Sequence, residues 1–197
     1  VARVSEEKPV IACIRGVGAS GAYLISCGAT RIVASPGSLV GSIGVISVKP
    51  VLKELMHRVG IKVDITKSGD FKDMGGFWKT STLQEKRKLQ TLVDESYDSF
   101  LAVITKARKM DPAKVRSLAT GELFWGPKAL SNGLVDELGD LDRAIDLAAE
   151  LAESPRRITR IKPRRTFGER LFSPLVGSVI DSVADEIEHR LRMNHIV

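Results

Sequence analysis

Lys8-Pro-Val-Ile-Ala-Cys-Ile-Arg-Gly-Val-Gly-Ala-Ser-Gly-Ala-Tyr23 is the stretch on which the fold of this 197-residue chain turns. Pro9 to Ile14 is too uniformly apolar for a sheet wetted on one side, so it reads as a strand buried on both faces. Arg15 to Gly21 is a Gly-rich turn, and a helical stretch follows from about Ala22 to Ala29. A buried strand feeding a helix through a small-residue turn is the elementary unit of an α/β protein.

The unit recurs downstream. Arg31-Ile-Val-Ala34 reads as a short strand closed by the turn Ser35-Pro36-Gly37-Ser38, and Val40 to Ile46 as strand and loop. Pro50 to Val59 reads as a short helix with Pro50 in its first turn. Lys62-Val-Asp-Ile-Thr66 alternates like a half-buried strand. Thr82-Leu-Gln-Glu85 has the spacing of a capping box, and apolar residues then recur at helical intervals to about Lys109. Asp111-Pro112 starts a short helix to Leu118. Between Gly121 and Gly139 lie Trp125-Gly126-Pro127, a helix over Lys128–Asn132 and a strand over Leu134–Asp136. An amphipathic helix from Asp140 to Ala152 closes the body. The expected fold is therefore α/β with mainly parallel pairing.

At 43% hydrophobic residues, 197 residues suffice for one core and leave little for a second. The expected division is a body over 1–153 and a C-terminal extension over 154–197. All of the net charge of +6 sits between Pro155 and Arg170, where seven Lys and Arg face only Glu169. The rest of the chain is thus balanced, so the basicity belongs to a C-terminal segment and says nothing of the body's substrate; nucleic acid is not expected as a partner. From Ser173-Pro174 a further helix is expected, with Leu175, Val176, Val179, Ile180 and Val183 along one face and charges of both signs on the other. Mixed charge fits packing against a protein partner better than lying on a membrane. Apolar runs stop short of the ~20 residues a membrane span needs. Cys13 and Cys27 have neither a disulfide framework nor zinc spacing, and read as small hydrophobes. The chain opens without Met, a few residues before a strand, so an N-terminal portion is expected to precede it.

Ser20 stands where the buried strand passes into a helix. Helix N-termini carry unpaired N–H groups and a positive dipole, which suits an oxyanion, with the Gly21 N–H as one donor. By spacing alone Gly-Ala-Ser-Gly is equally an ordinary tight turn or a phosphate loop. It has neither the Gly-x-Ser-x-Gly elbow nor the Gly-Lys-Ser/Thr ending of a P-loop. A serine nucleophile needs a base. His57 lies in a charged helix, and His189 and His195 lie near the C-terminus. The other route is a lysine, which must be moved down from its usual ~10.4 to act as a base. Lys67, Lys72 and Lys79 are the candidates. Phe71 and Met74 flank Lys72 and are expected to pack around its stem.

Lys8-Pro-Val-Ile-Ala, Gly-Ala-Ser20-Gly-Ala-Tyr23, Ala-Ser-Pro-Gly-Ser-Leu-Val-Gly41-Ser42-Ile-Gly44-Val and Lys67-Ser-Gly-Asp-Phe-Lys72-Asp resemble the signal peptide peptidase A (SppA) family. Gly121-Glu-Leu-Phe-Trp-Gly and Gly133-Leu-Val-Asp136 continue the likeness in the same order, from about Lys8 to Ala152. The resemblance implies a ClpP/crotonase-like spiral of ββα units and a serine endopeptidase with a Ser–Lys dyad. Ser20 matches the nucleophile, Lys72 the general base, Ser42 the hydroxyl that orients the lysine, and Gly21 an oxyanion donor. It implies no metal or organic cofactor. It also implies peptide substrates such as remnant signal peptides, a homo-oligomer, and membrane association through an N-terminal anchor.

The family's Asn-Ser-Pro-Gly-Gly type stretch, which supplies the other oxyanion donor, is expected upstream of Val1. Rival readings are a ClpP-like or NfeD-type protease, a crotonase-type CoA enzyme, and an inactive scaffold of the same fold.

Overall fold

The computed structural model describes residues 1–159 and 161. Val1–Arg156 forms one compact unit. The helix expected from Ser173 onward, and most of the basic stretch, lie outside the described residues. In chain order the elements are α1 (Ala2–Ser5), β1 (Ile11–Ile14), β2 (Val17–Ala19), α2 (Gly21–Ser26), β3 (Arg31–Ala34), β4 (Leu39–Gly41) and α3 (Lys53–Arg58). There follow α4 (Leu83–Arg108), α5 (Pro112–Leu118), β5 (Leu123–Trp125), α6 (Gly126–Asn132), β6 (Glu137–Leu138) and α7 (Leu141–Leu151).

Two small sheets share these strands. The first is β1-β3-β6, parallel throughout; the second is β2-β4-β5, with β2 and β4 parallel and β5 antiparallel to β4. Strands adjacent in sequence thus go to different sheets: β1 to the first and β2 to the second, then β3 to the first and β4 to the second. Each such pair leads into a helix, α2 and then α3. This is the α/β, ClpP/crotonase-like ββα organisation the sequence pointed to.

The core explains the apolar run of β3, whereas β1, read as buried on both faces, is buried only at Ile14 and half-buried over Ile11 to Cys13. Ile32, Val33 and Ala34 of β3 are all buried, as a central parallel strand covered on both faces must be. Tyr23 of α2 is fully buried too, and its hydroxyl donates to the Leu134 carbonyl at 2.8 Å, satisfying the polar tip. Asp136 accepts both guanidinium bonds of Arg108, each 2.9 Å, and the Ile32 N–H at 2.7 Å. This fork joins the end of α4 to the first sheet. Burial pushes the Asp136 carboxyl up, but Arg108 and the Ile32 N–H outweigh it and hold it below the usual range.

α4 starts on the expected capping box: the Glu85 N–H donates to Thr82 Oγ1 and the Thr82 N–H to Glu85 Oε2. It ends at Lys109 in the left-handed region. Cys27 is buried beside Tyr23, where desolvation raises its thiol to about 11, and Cys13 is half-buried; both are free.

Several elements differ from the sequence reading. Lys62–Thr66 forms no strand; Val63 and Ile65 are exposed, because no neighbouring strand offers a ladder for their alternation to use. Within the stretch read as strand and loop over Val40–Ile46, the strand ends at Gly41, since Gly41 (φ 112°) and Ser42 (φ 48°) leave extended geometry. The last ladder forms at Glu137–Leu138 rather than Leu134–Asp136. β2 falls inside the stretch read as turn, and β5 was not anticipated; at three residues each, neither shows a period.

Candidate active site

Ser20 is the N-cap of α2, directly after β2, and its backbone lies at φ 52°, ψ −123°. A side-chain-bearing residue rarely adopts this, at a cost on the order of 1–3 kcal/mol. Two bonds hold it there. The Ser20 N–H donates to the Gly41 carbonyl at 2.8 Å, and the Ser20 carbonyl accepts the Leu24 N–H at 3.0 Å. Gly41 turns its carbonyl this way at φ 112°, which side chains rarely adopt, and a Cβ would lie a crowded 3.0 Å from the Glu122 carbonyl oxygen and from Phe124. Ser42 follows at positive φ and donates its N–H to that same Glu122 carbonyl at 2.7 Å. A strained serine on a sharp strand-to-helix turn presents its hydroxyl outward, and Ser20 is exposed. The Gly21 N–H belongs to the first turn of α2, where helical donors lack partners within the helix.

Ser20, Gly21 and Ser42 line one cavity of about 790 Å³. Leu24, Val45, Phe100 and Val103 make its wall chiefly apolar, and Ser96 and Ser99 of α4 add hydroxyls. The cavity suits an apolar side chain with its polar backbone towards Ser20.

Lys72 lies elsewhere. It is exposed, in a turn closed by its own N–H to the Gly69 carbonyl at 3.1 Å, and lines a smaller cleft with Lys67, Asp73 and Trp78. Phe71 is itself 47% exposed, so the lysine stem is not enclosed as the flanking apolar residues suggested. Lys79 pairs with Asp73 and Glu85, and Lys67 with Asp73. His57 is exposed on α3. Of the expected residues, then, Ser20, Gly21 and Ser42 come together and Lys72 stands apart within the single chain.

Sequence reading missed α4 as a cavity wall. Ser96 falls among Leu92, Val93, Phe100 and Val103 at helical spacing, and a serine in an apolar stripe was the available signal.

A serine at positive φ on a helix N-terminus, on the wall of an apolar cavity, has the setting a serine nucleophile needs. The model of peptidase family S49 matches residues 2–154, and the chain belongs to that family of serine proteases. A Synechocystis protein named as a putative protease is 37% identical over 150 residues, covering 76% of this chain and 54% of that protein. Protease 4 of Salmonella typhi is 31% identical over 185 residues, 93% of this chain and 30% of that protein. The chloroplastic serine protease SPPA of Arabidopsis thaliana is 31% identical over 165 residues, 82% and 24% respectively. The chain thus spans about half or less of the length of these relatives. Among solved structures, an enoyl-CoA hydratase/isomerase family member superposes with a TM-score of 0.40 at 18% identity, over 98% of this chain and 54% of that one. Family membership sets aside the reading as a CoA enzyme. Among the described residues no helix is long and apolar enough to cross a membrane.

Proposed function

We propose that this chain is the catalytic part of a Ser–Lys endopeptidase acting on peptides, remnant signal peptides among them. The observation that carries the reading is Ser20 held at positive φ on the wall of an apolar cavity. Neutral Lys72 takes the Ser20 proton as Oγ bonds to the scissile carbonyl carbon, and the Gly21 N–H stabilises the oxyanion. The C–N bond then breaks as the lysine ammonium returns its proton to the leaving amine, and water releases the acyl group. Ser42 orients the lysine. Neither a metal nor an organic cofactor enters this chemistry.

The reading requires Lys72 to reach Ser20, although the two line different cavities of one chain. The segment leading to Lys72 exposes Ile46, Val48, Val59 and Ile61, each more than half accessible. Apolar exposure of this extent supports assembly with further copies, bringing one chain's Lys72 to another's Ser20. Membrane association belongs to the same reading and rests on likeness to the family alone.

The test is labelling by a fluorophosphonate probe. The wild type is expected to label, and Ser20→Ala and Lys72→Ala to be silent. Labelling that persists in both variants sinks the dyad.

A further inference from the structure

The residue that follows Lys72 is an aspartate, and a free carboxylate there would compete for the lysine ammonium. In this fold it is not free. Lys67 Nζ donates to Asp73 Oδ1 at 2.8 Å, and Lys79 Nζ lies 2.8 Å from Asp73 Oδ2. Lys79 also bonds Glu85, whose second oxygen takes the Thr82 N–H of the α4 cap. Lys67 makes a further bond to the Asp70 carbonyl at 3.0 Å, closing the turn that carries Lys72. The Asp73 and Glu85 side chains are 8% and 4% exposed, so little of either carboxylate meets solvent and each of their oxygens has a fixed partner. Among the described residues, the Lys72 ammonium has neither an ion pair nor a hydrogen bond.

We infer that Lys67 and Lys79 sequester the Asp73 carboxylate so that Lys72 stays unpaired, and that both are positioning residues for the base. The inference rests on the reading of Lys72 as general base. An ammonium paired with a carboxylate gives up its proton less readily, and a base must be neutral to accept one. A short-range carboxylate beside a lysine base is therefore harmful unless other cations hold it. Lys79 does this from the α4 side through Glu85, and Lys67 from within the turn. Since α4 also carries Ser96, Phe100 and Val103 of the Ser20 cavity, the same latch ties the Lys72 turn to the helix that walls the nucleophile.

The test uses the full chain, a peptide substrate and the fluorophosphonate probe. Lys79→Met frees Asp73 Oδ2 and is expected to lower kcat about tenfold with KM within about twofold, one pKa unit of altered basicity being about tenfold. Lys79→Arg, which keeps both ion pairs, is expected to remain near wild type. The decisive variant is Lys79→Met with Asp73→Asn. If capture of Lys72 by the freed carboxylate is the cause, neutralising that carboxylate restores most of the rate. A latch that merely holds the loop predicts the opposite, because the double variant breaks it further. Lys67→Met gives the same readout should Lys79→Met fail to fold and leave Glu85 uncompensated. A double variant no faster than Lys79→Met, or Lys67→Met and Lys79→Met both at wild-type rate, overturns the inference. Lys72→Ala runs alongside: if it still labels, the base reading fails and takes this inference with it. If it is silent while the other variants are normal, only the inference fails.

Discussion

The wall around Ser20 and the turn around Lys72 are built by opposite means. Ser20 is held by two strands, the first turn of α2 and a glycine at φ 112°, next to the fully buried Tyr23, Val40 and Ile43. Lys72 sits in a stretch without strand pairing, where ion pairs of Asp73 and short turn bonds supply the order. The nucleophile is preorganised by the core, where displacing a residue disturbs many packed neighbours. The base belongs to a segment ordered by a few ion pairs and turn bonds, with little packed core behind it. A dyad of this kind joins a rigid half to a compliant one.

The sharpest way to break that contrast is to separate the halves. Ser20→Ala and Lys72→Ala chains are each expected to be silent, the second by about 10²–10⁴-fold as for loss of a general base. Mixed after co-refolding, they are expected to regain labelling, on the Lys72→Ala chain only, because an intact Lys72 arrives from the other copy. Silence of the mixture, with each variant assembled like wild type, would place both residues of a working site in one chain.

The rigid half is expected to fail through stability. Asp136→Ala leaves the Arg108 guanidinium buried without its fork, and a cost of about 3 kcal/mol is expected in urea unfolding. An unchanged midpoint would show that the fork contributes nothing beyond water's own bonds. Gly41→Ala should cost less, about 1–3 kcal/mol from its positive φ, while slowing Ser20 labelling more than the stability loss alone explains. Equal losses in both would reduce Gly41 to a folding residue.

The smallest expected effect is acid loosening of the compliant half. Hydrogen bonds from Lys67, then Lys79, hold Asp73 at about 2, below its value in an unfolded chain. Its contribution is therefore full above about pH 4 and is lost as pH falls towards about 2. Hydrogen exchange should show the amides of Lys72, Met74 and Gly76 losing protection over that range before those of β3. Simultaneous loss in both regions would erase the contrast.

Much of the rigid half was legible in advance. Pro9–Ile14 and Arg31–Ala34 announced strands, although β1 is fully buried only at Ile14, and Thr82-Leu-Gln-Glu85 announced the start of α4 by local hydrogen-bond chemistry. The compliant half misled. Lys62–Thr66 alternates as a strand should, but alternation reports only that one face is apolar, and pairing needs a neighbour the local sequence cannot name. Phe71 and Met74 flank Lys72 in sequence, yet adjacency along a turn does not enclose a side chain. The second sheet was hidden for a related reason: three-residue strands at β2 and β5 carry no period, and only pairing through β4 makes them strands.

By itself, the sequence determined the α/β class and Ser20 at a strand-to-helix turn, since periodicity, caps and small-residue turns act over a few residues; the ββα order came from likeness to a family, not from local pattern. Only the tertiary structure decided that Ser20, Gly21 and Ser42 share a cavity walled by α4, that Gly41 is the clamp, and that Lys72 stands apart with its neighbouring carboxylate bound by two lysines. Those are meetings of residues distant in the chain, fixed by packing and by ion pairs that close only once the core has formed.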